Sequence, residues 1–146
     1  MPGNRFPSTT ERSLSSIDSL DSPLMTFDLP ALITQMKRED SWSTEKRNAM
    51  TLLKRNAKTS LKGRDLRIVL IVMQAGMVIQ AHQADSPINV QVLEGRLQFS
   101  TDSQSVTLGK GQMLTLQAGI RHWVEARGES AFLLTLAAGQ SHPVER

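Results

Sequence analysis

Three histidines and no cysteines occur among the 146 residues. The lack of cysteine excludes disulfides, thiolate metal ligands, iron–sulfur ligation and cysteine nucleophiles together. What remains is imidazole, which can carry a proton near neutral pH, accept or donate a hydrogen bond, or offer a bare ring nitrogen to a metal. His82 and His122 each sit in a short apolar run, VIQAH and HWVEA. Strand alternation predicts Gln80, His82 and Ala84 on one face, and His122 with Val124 and Ala126 on one face. Gln80 adds the only further polar group to the first of these faces, and its amide oxygen suits a hard cation better than zinc or iron. Asp85, in the turn from Ala84 to Pro87, is placed to orient a histidine or a ligand amine. His142 lies in the tail and reads as solvated.

Other catalytic patterns are missing. The chain holds no phosphate-binding P-loop, no G-x-G-x-x-G, no G-x-S-x-G elbow and no H-E-x-x-H. Ile88, Val90 and Val92 alternate with Asn89 and Gln91, so the inner face of that strand is hydrocarbon and carries no carboxylate pair for acid–base work.

The elements that must hold these side chains are strands. From Asn48 onward, short runs bounded by turn residues cover 48–55, 66–74, 77–83, 88–93, 96–101, 104–108, 112–117, 121–126 and 130–137. This spacing predicts an all-β sandwich or barrel, with turns at Glu94-Gly95, Thr101-Asp102-Ser103, Gly109-Lys110-Gly111 and Ala118-Gly119. Leu66 to Met73 is apolar at both parities, so both of its faces need cover, the outer one from an amino-terminal helix or a second subunit. A short helix is expected from about Pro30 to Lys37, with Asp28 as N-cap and Pro30 in its first turn. Trp42 should anchor the segment that leads into the first strand, and Trp123, opposite in parity to His122, should face outward.

The expected organisation is a disordered serine-rich arm over 1–24, a helical lead-in over 25–45, the barrel over 46–138 and a tail over 139–146. The net charge of +3 is concentrated in residues 37–67, which hold ten Lys or Arg against four Asp or Glu. Its basic pattern from Lys46 to Arg64 lacks aromatic residues for base stacking and a helix-turn-helix pattern, so a solvated sheet edge explains it and nucleic acid is not an expected partner. No run nears the ~18 apolar residues of a membrane span, and the amino terminus has no apolar signal region, so the expected setting is the cytoplasm, without a membrane partner.

Two stretches resemble the paired motifs of the cupin superfamily. The first, G-x5-H-x-H-x3,4-E-x6-G, is matched by Gly76, His82 and Gly95. The second, G-x5-P-x-G-x2-H-x3-N, is matched by Gly111, Gly119 and His122. The resemblance implies a jelly-roll β-barrel over roughly the last 100 residues. In the family, the two histidines and glutamate of the first motif and the histidine of the second bind a divalent metal. Here His82 and His122 carry over as candidate metal ligands, while Ala84 stands in place of the second histidine and Ile88 or Asn89 in place of the glutamate. Half a ligand set leaves at most a weakly held divalent metal, since a catalytic site ordinarily keeps three protein ligands. The first expectation is therefore a single-domain cupin that binds a small, largely apolar molecule, with Gln80, His82 and His122 lining the pocket. The alternative is a metal-dependent cupin enzyme, an isomerase or dioxygenase, using His82 and His122. Cupins commonly pair, so a homodimer is expected.

Overall fold

Aliphatic and β-branched residues favour extended backbone where they can be buried on a pleated surface, and the runs of that kind expected from Asn48 onward are strands among the described residues. The computed structural model describes residues 24–55 and 66–137. Two helices, α1 (Leu29–Met36) and α2 (Asp40–Glu45), precede nine strands: β1 (Arg47–Arg55), β2 (Leu66–Met73), β3 (Val78–His82), β4 (Ile88–Glu94), β5 (Arg96–Thr101), β6 (Ser105–Gly109), β7 (Met113–Leu116), β8 (His122–Ala126) and β9 (Ser130–Leu136). Each strand falls within a residue, at either end, of the run expected from the sequence, as does α1. The arm expected over 1–24, Leu24 apart, and the tail expected over 139–146 lie outside the described residues.

The strands form a five-stranded sheet in the order β1-β2-β9-β4-β7 and a four-stranded sheet in the order β3-β8-β5-β6, and every pairing is antiparallel. The inner faces enclose Ile71, Met73, Ile88, Val90, Val92, Leu97, Phe99, Val124, Ala126 and Phe132. This is the jelly-roll barrel, and the alternation of Ile88, Val90 and Val92 places them inside it as expected.

The cover over β2 comes from its own chain. Leu70 and Val72 point away from the interior and pack with Ile33 and Met36 of α1, Leu52 and Ala131. Both β2 residues and Met36 are fully buried without a second subunit. Helix α1 begins where Asp28 accepts a hydrogen bond from the Ala31 amide (3.1 Å), with Pro30 in the first turn where its missing N–H costs nothing. Its carboxy-terminal Lys37 bonds Glu129 (2.6 Å) and Glu94 (3.4 Å), tying the helix to two turns of the barrel. Trp42 joins the same outer cluster, and its carbonyl accepts from the Gln74 amide (2.8 Å).

One hairpin shows why its glycine is required. Gly95 has φ +80°, and a Cβ there would lie 2.2 Å from the Glu129 carbonyl oxygen. No L side chain fits both the left-handed backbone and that gap.

Candidate functional site

The two histidines meet across a strand pair. In the β3–β8 ladder Ile79 opposes Val124 and His82 opposes His122, with a bulge between Ile79 and His82. The extra residue in β3 breaks the two-residue alternation. Ile79 therefore packs on the interior cluster, and the side chain of Gln80, expected to share the inner face with His82, is exposed. The parity argument fails at Gln80 for that reason. What Gln80 contributes is its main-chain carbonyl, which accepts a hydrogen bond from His82 Nδ1 (3.0 Å).

His122 is held in the same way. Its Nδ1 donates to the Ile120 carbonyl (3.0 Å), and its ring stacks on Phe99, with centroids 5.2 Å apart and planes within 12°. A carbonyl oxygen only accepts, so Nδ1 carries the proton in both rings, and the neutral form of each has a bare Nε2. The ring centroids are 4.3 Å apart with planes tilted by 60°. His122 is only 3% exposed, whereas His82 is exposed. Burial pushes the His122 imidazole below its ordinary 6.5. The Ile120 carbonyl opposes that shift, and the charge of His82 adds to it. His122 is thus neutral at pH 7, and its Nε2 is a buried acceptor with no hydrogen bond among the described residues.

Both imidazoles lie at the open end of the barrel. Residues 83–87 join His82 to Ile88, residues 117–121 join Leu116 to His122, and the Gly119 amide donates to the Ala84 carbonyl (2.9 Å) between those two loops. Ile88 is in register with Leu116 and with Leu136, and Leu136 with Arg67, which brings all four to this end. At the opposite end Met73, Val92 and Leu97 are 0% exposed. Here Ala84, Leu114, Leu116, Leu134 and Leu136 pack on the interior cluster yet stay partly exposed. Among the described residues, the barrel is closed at one end and presents partly exposed hydrocarbon at the other.

As a metal centre the site falls short. The described residues contain no group of three or more His, Cys, Asp or Glu able to hold an ion. Ala84 at the mouth and the buried Ile88 occupy the remaining ligand positions with hydrocarbon. Two imidazoles do not make the three-ligand set of a catalytic metal, so the residues present do not fit that group. Asp85 is exposed in the loop after His82. Trp123 faces away from the interior, partly buried, with the Arg121 guanidinium 5.3 Å from its ring centre. None of the helices is long and apolar enough to cross a membrane, among the described residues.

Comparison with known proteins agrees with this architecture. The family model described as a cupin domain matches residues 69–141. No curated protein matches the chain. Among solved structures, a conserved protein of unknown function from Streptococcus pyogenes is similar at 20% identity and a TM-score of 0.60, over 84% of this chain and 94% of that one. A cupin-2 domain-containing protein from Shewanella frigidimarina aligns at 17% identity and a TM-score of 0.55, over 76% and 93% of the two chains. A cupin superfamily protein from Desulfitobacterium hafniense aligns at 18% identity and 0.54, over 62% and 76%. At these identities the likeness concerns the fold.

Proposed function

The chain belongs to the cupin domain family, and we propose that it binds a small, largely apolar molecule in the mouth of its barrel, beside His82 and His122. The observation that carries this reading is the His122 Nε2, an acceptor buried beside a mouth of partly exposed leucines and without a hydrogen bond among the described residues. Leaving a buried polar atom unpaired costs about 1–3 kcal/mol, a cost that a ligand bearing an O–H or N–H removes on binding. The leucines supply area for an apolar body, and a few convergent polar groups fix its orientation. Gln80 acts through its carbonyl, which aims the His82 ring and holds its tautomer.

Tag-free protein titrated with hexan-1-ol is expected to bind it saturably, and to lose affinity in His122→Phe and His82→Ala. Saturable binding that both variants leave intact would remove the imidazoles from the reading. No binding at all would remove the pocket.

The metal-dependent alternative keeps one observation in its favour: both Nδ1–H groups are tied to carbonyls, the usual support for a histidine that ligates through Nε2. Elemental analysis of the same tag-free protein decides between the two. Near-stoichiometric iron, manganese, nickel or zinc that disappears in both variants would overturn the metal-free reading.

A further inference from the structure

Arg67 belongs to the basic stretch that the sequence explains as a solvated edge, but its place in the fold is different. From Arg67 to Met73, β2 pairs with β9 in continuous register, without a bulge. Within that run Val69, Ile71 and Met73 face the barrel interior, so strand alternation puts Arg67 on the same inner face. Its register partner is Leu136, one of the partly exposed leucines of the mouth. Arg67 is itself partly buried and makes no ion pair or hydrogen bond among the described residues. A partly buried guanidinium without a partner keeps its five N–H donors available to an incoming acceptor. Lys54 is its neighbour in register across the β1–β2 ladder and is exposed, adding to the positive potential on this side of the mouth.

We propose that Arg67 binds a carboxylate, so that the ligand of this barrel is a monocarboxylic acid with a hydrocarbon body and a hydroxyl, its carboxylate at Arg67, its hydrocarbon on the mouth leucines and its O–H donated to His122 Nε2. This rests on the reading of the barrel as a small-molecule site and narrows it to one ligand class. The guanidinium fork matches a carboxylate with two parallel hydrogen bonds, and the apolar surroundings strengthen such a charge-assisted pair relative to water. Lysine at the same position would keep the charge and lose the fork.

The test compares 6-hydroxyhexanoate with hexan-1-ol, molecules of equal carbon number that both carry a hydroxyl, by calorimetric titration of the full chain. Wild-type protein is expected to bind 6-hydroxyhexanoate at least about tenfold tighter than hexan-1-ol, the scale of one charge-assisted hydrogen-bonded pair. In Arg67→Met, which keeps an apolar stem on the strand, 6-hydroxyhexanoate should bind no better than hexan-1-ol. Arg67→Lys should retain only part of the preference, and Lys54→Ser nearly all of it. Equal wild-type affinities, a preference that survives in Arg67→Met, or one that is lost in Lys54→Ser instead would each overturn the assignment while leaving the barrel reading in place. Failure of both molecules to bind wild-type protein would bring down the barrel reading, and this inference with it.

Discussion

His82 and His122 share a register position but not an environment. His122 is buried, stacked on Phe99 and bonded at one nitrogen only. In His122→Phe the unpaired acceptor disappears and the stack on Phe99 is kept. The variant should therefore lie within about 1 kcal/mol of wild type, or above it, in urea unfolding, while losing ligand affinity. A loss exceeding about 2 kcal/mol would mark the histidine as a structural member of the core. The pH dependence has a definite sign. The folded imidazole titrates below 6.5 and the unfolded one near it. The unfolded chain thus takes up more protons between those values, and stability present above pH 6.5 is lost as pH falls through the folded value. His122→Phe should flatten that acid limb, and an unchanged limb would contradict the burial account. Both histidines were legible in the sequence through their glycine-framed motifs. The exposure of Gln80 was not, because a bulge is set by how β3 registers against β8 and leaves no mark in the composition of either strand. Arg67 escaped notice for a related reason: β2 is apolar at both parities, so its sequence does not say which parity faces inward.

At the scale of elements, hairpin glycines and the α1 latch give separable predictions. Gly95→Ala meets the Glu129 carbonyl as well as the left-handed backbone, and should cost at least about 2 kcal/mol in urea unfolding. Gly111→Ala has a similar φ, +84°, with nothing within 4 Å of the added Cβ, and should cost only about 1 kcal/mol. Equal losses at the two positions would contradict the close approach at Gly95. Lys37 loses some basicity to burial, but its bonds and charge interactions with Glu129 and Glu94 outweigh that loss and hold it above 10.5. The latch therefore contributes stability that is complete below pH 10.5 and is lost as pH rises through the raised value. Lys37→Met should remove about 1 kcal/mol at neutral pH and abolish that alkaline loss, checked by unfolding at a series of pH values. The strands themselves were readable from turn residues and apolar periodicity alone. What lies over β2 was not, since helix and second subunit answer the same apolar face equally well from sequence.

For the molecule as a whole, the intramolecular cover over β2 changes what an assembly would need. The outer face of β2 that could have received a second subunit is filled by α1, so we propose that the homodimer expected from the sequence pairs through β1, a nine-residue strand at the end of its sheet among the described residues that carries Arg47 and Lys54. Light scattering at twice 16.2 kDa would keep the homodimer, and a species of 16.2 kDa would end it. Removing the cover should be costly in either case: Met36→Asp places a charge in the fully buried outer cluster and is expected to unfold or aggregate the chain, read by circular dichroism and solubility. A stable, soluble Met36→Asp protein would mean that α1 does not seal the barrel. The central claim concerns the mouth, and methyl and imidazole chemical shifts followed by NMR during titration with hexan-1-ol test it most directly. The account predicts saturable shifts at His82, His122, Leu116, Leu134 and Leu136, with Met73, Val92 and Leu97 at the closed end unmoved. Shifts confined to the outer cluster around Met36 and Leu70, or no saturable shift at the mouth, would contradict it.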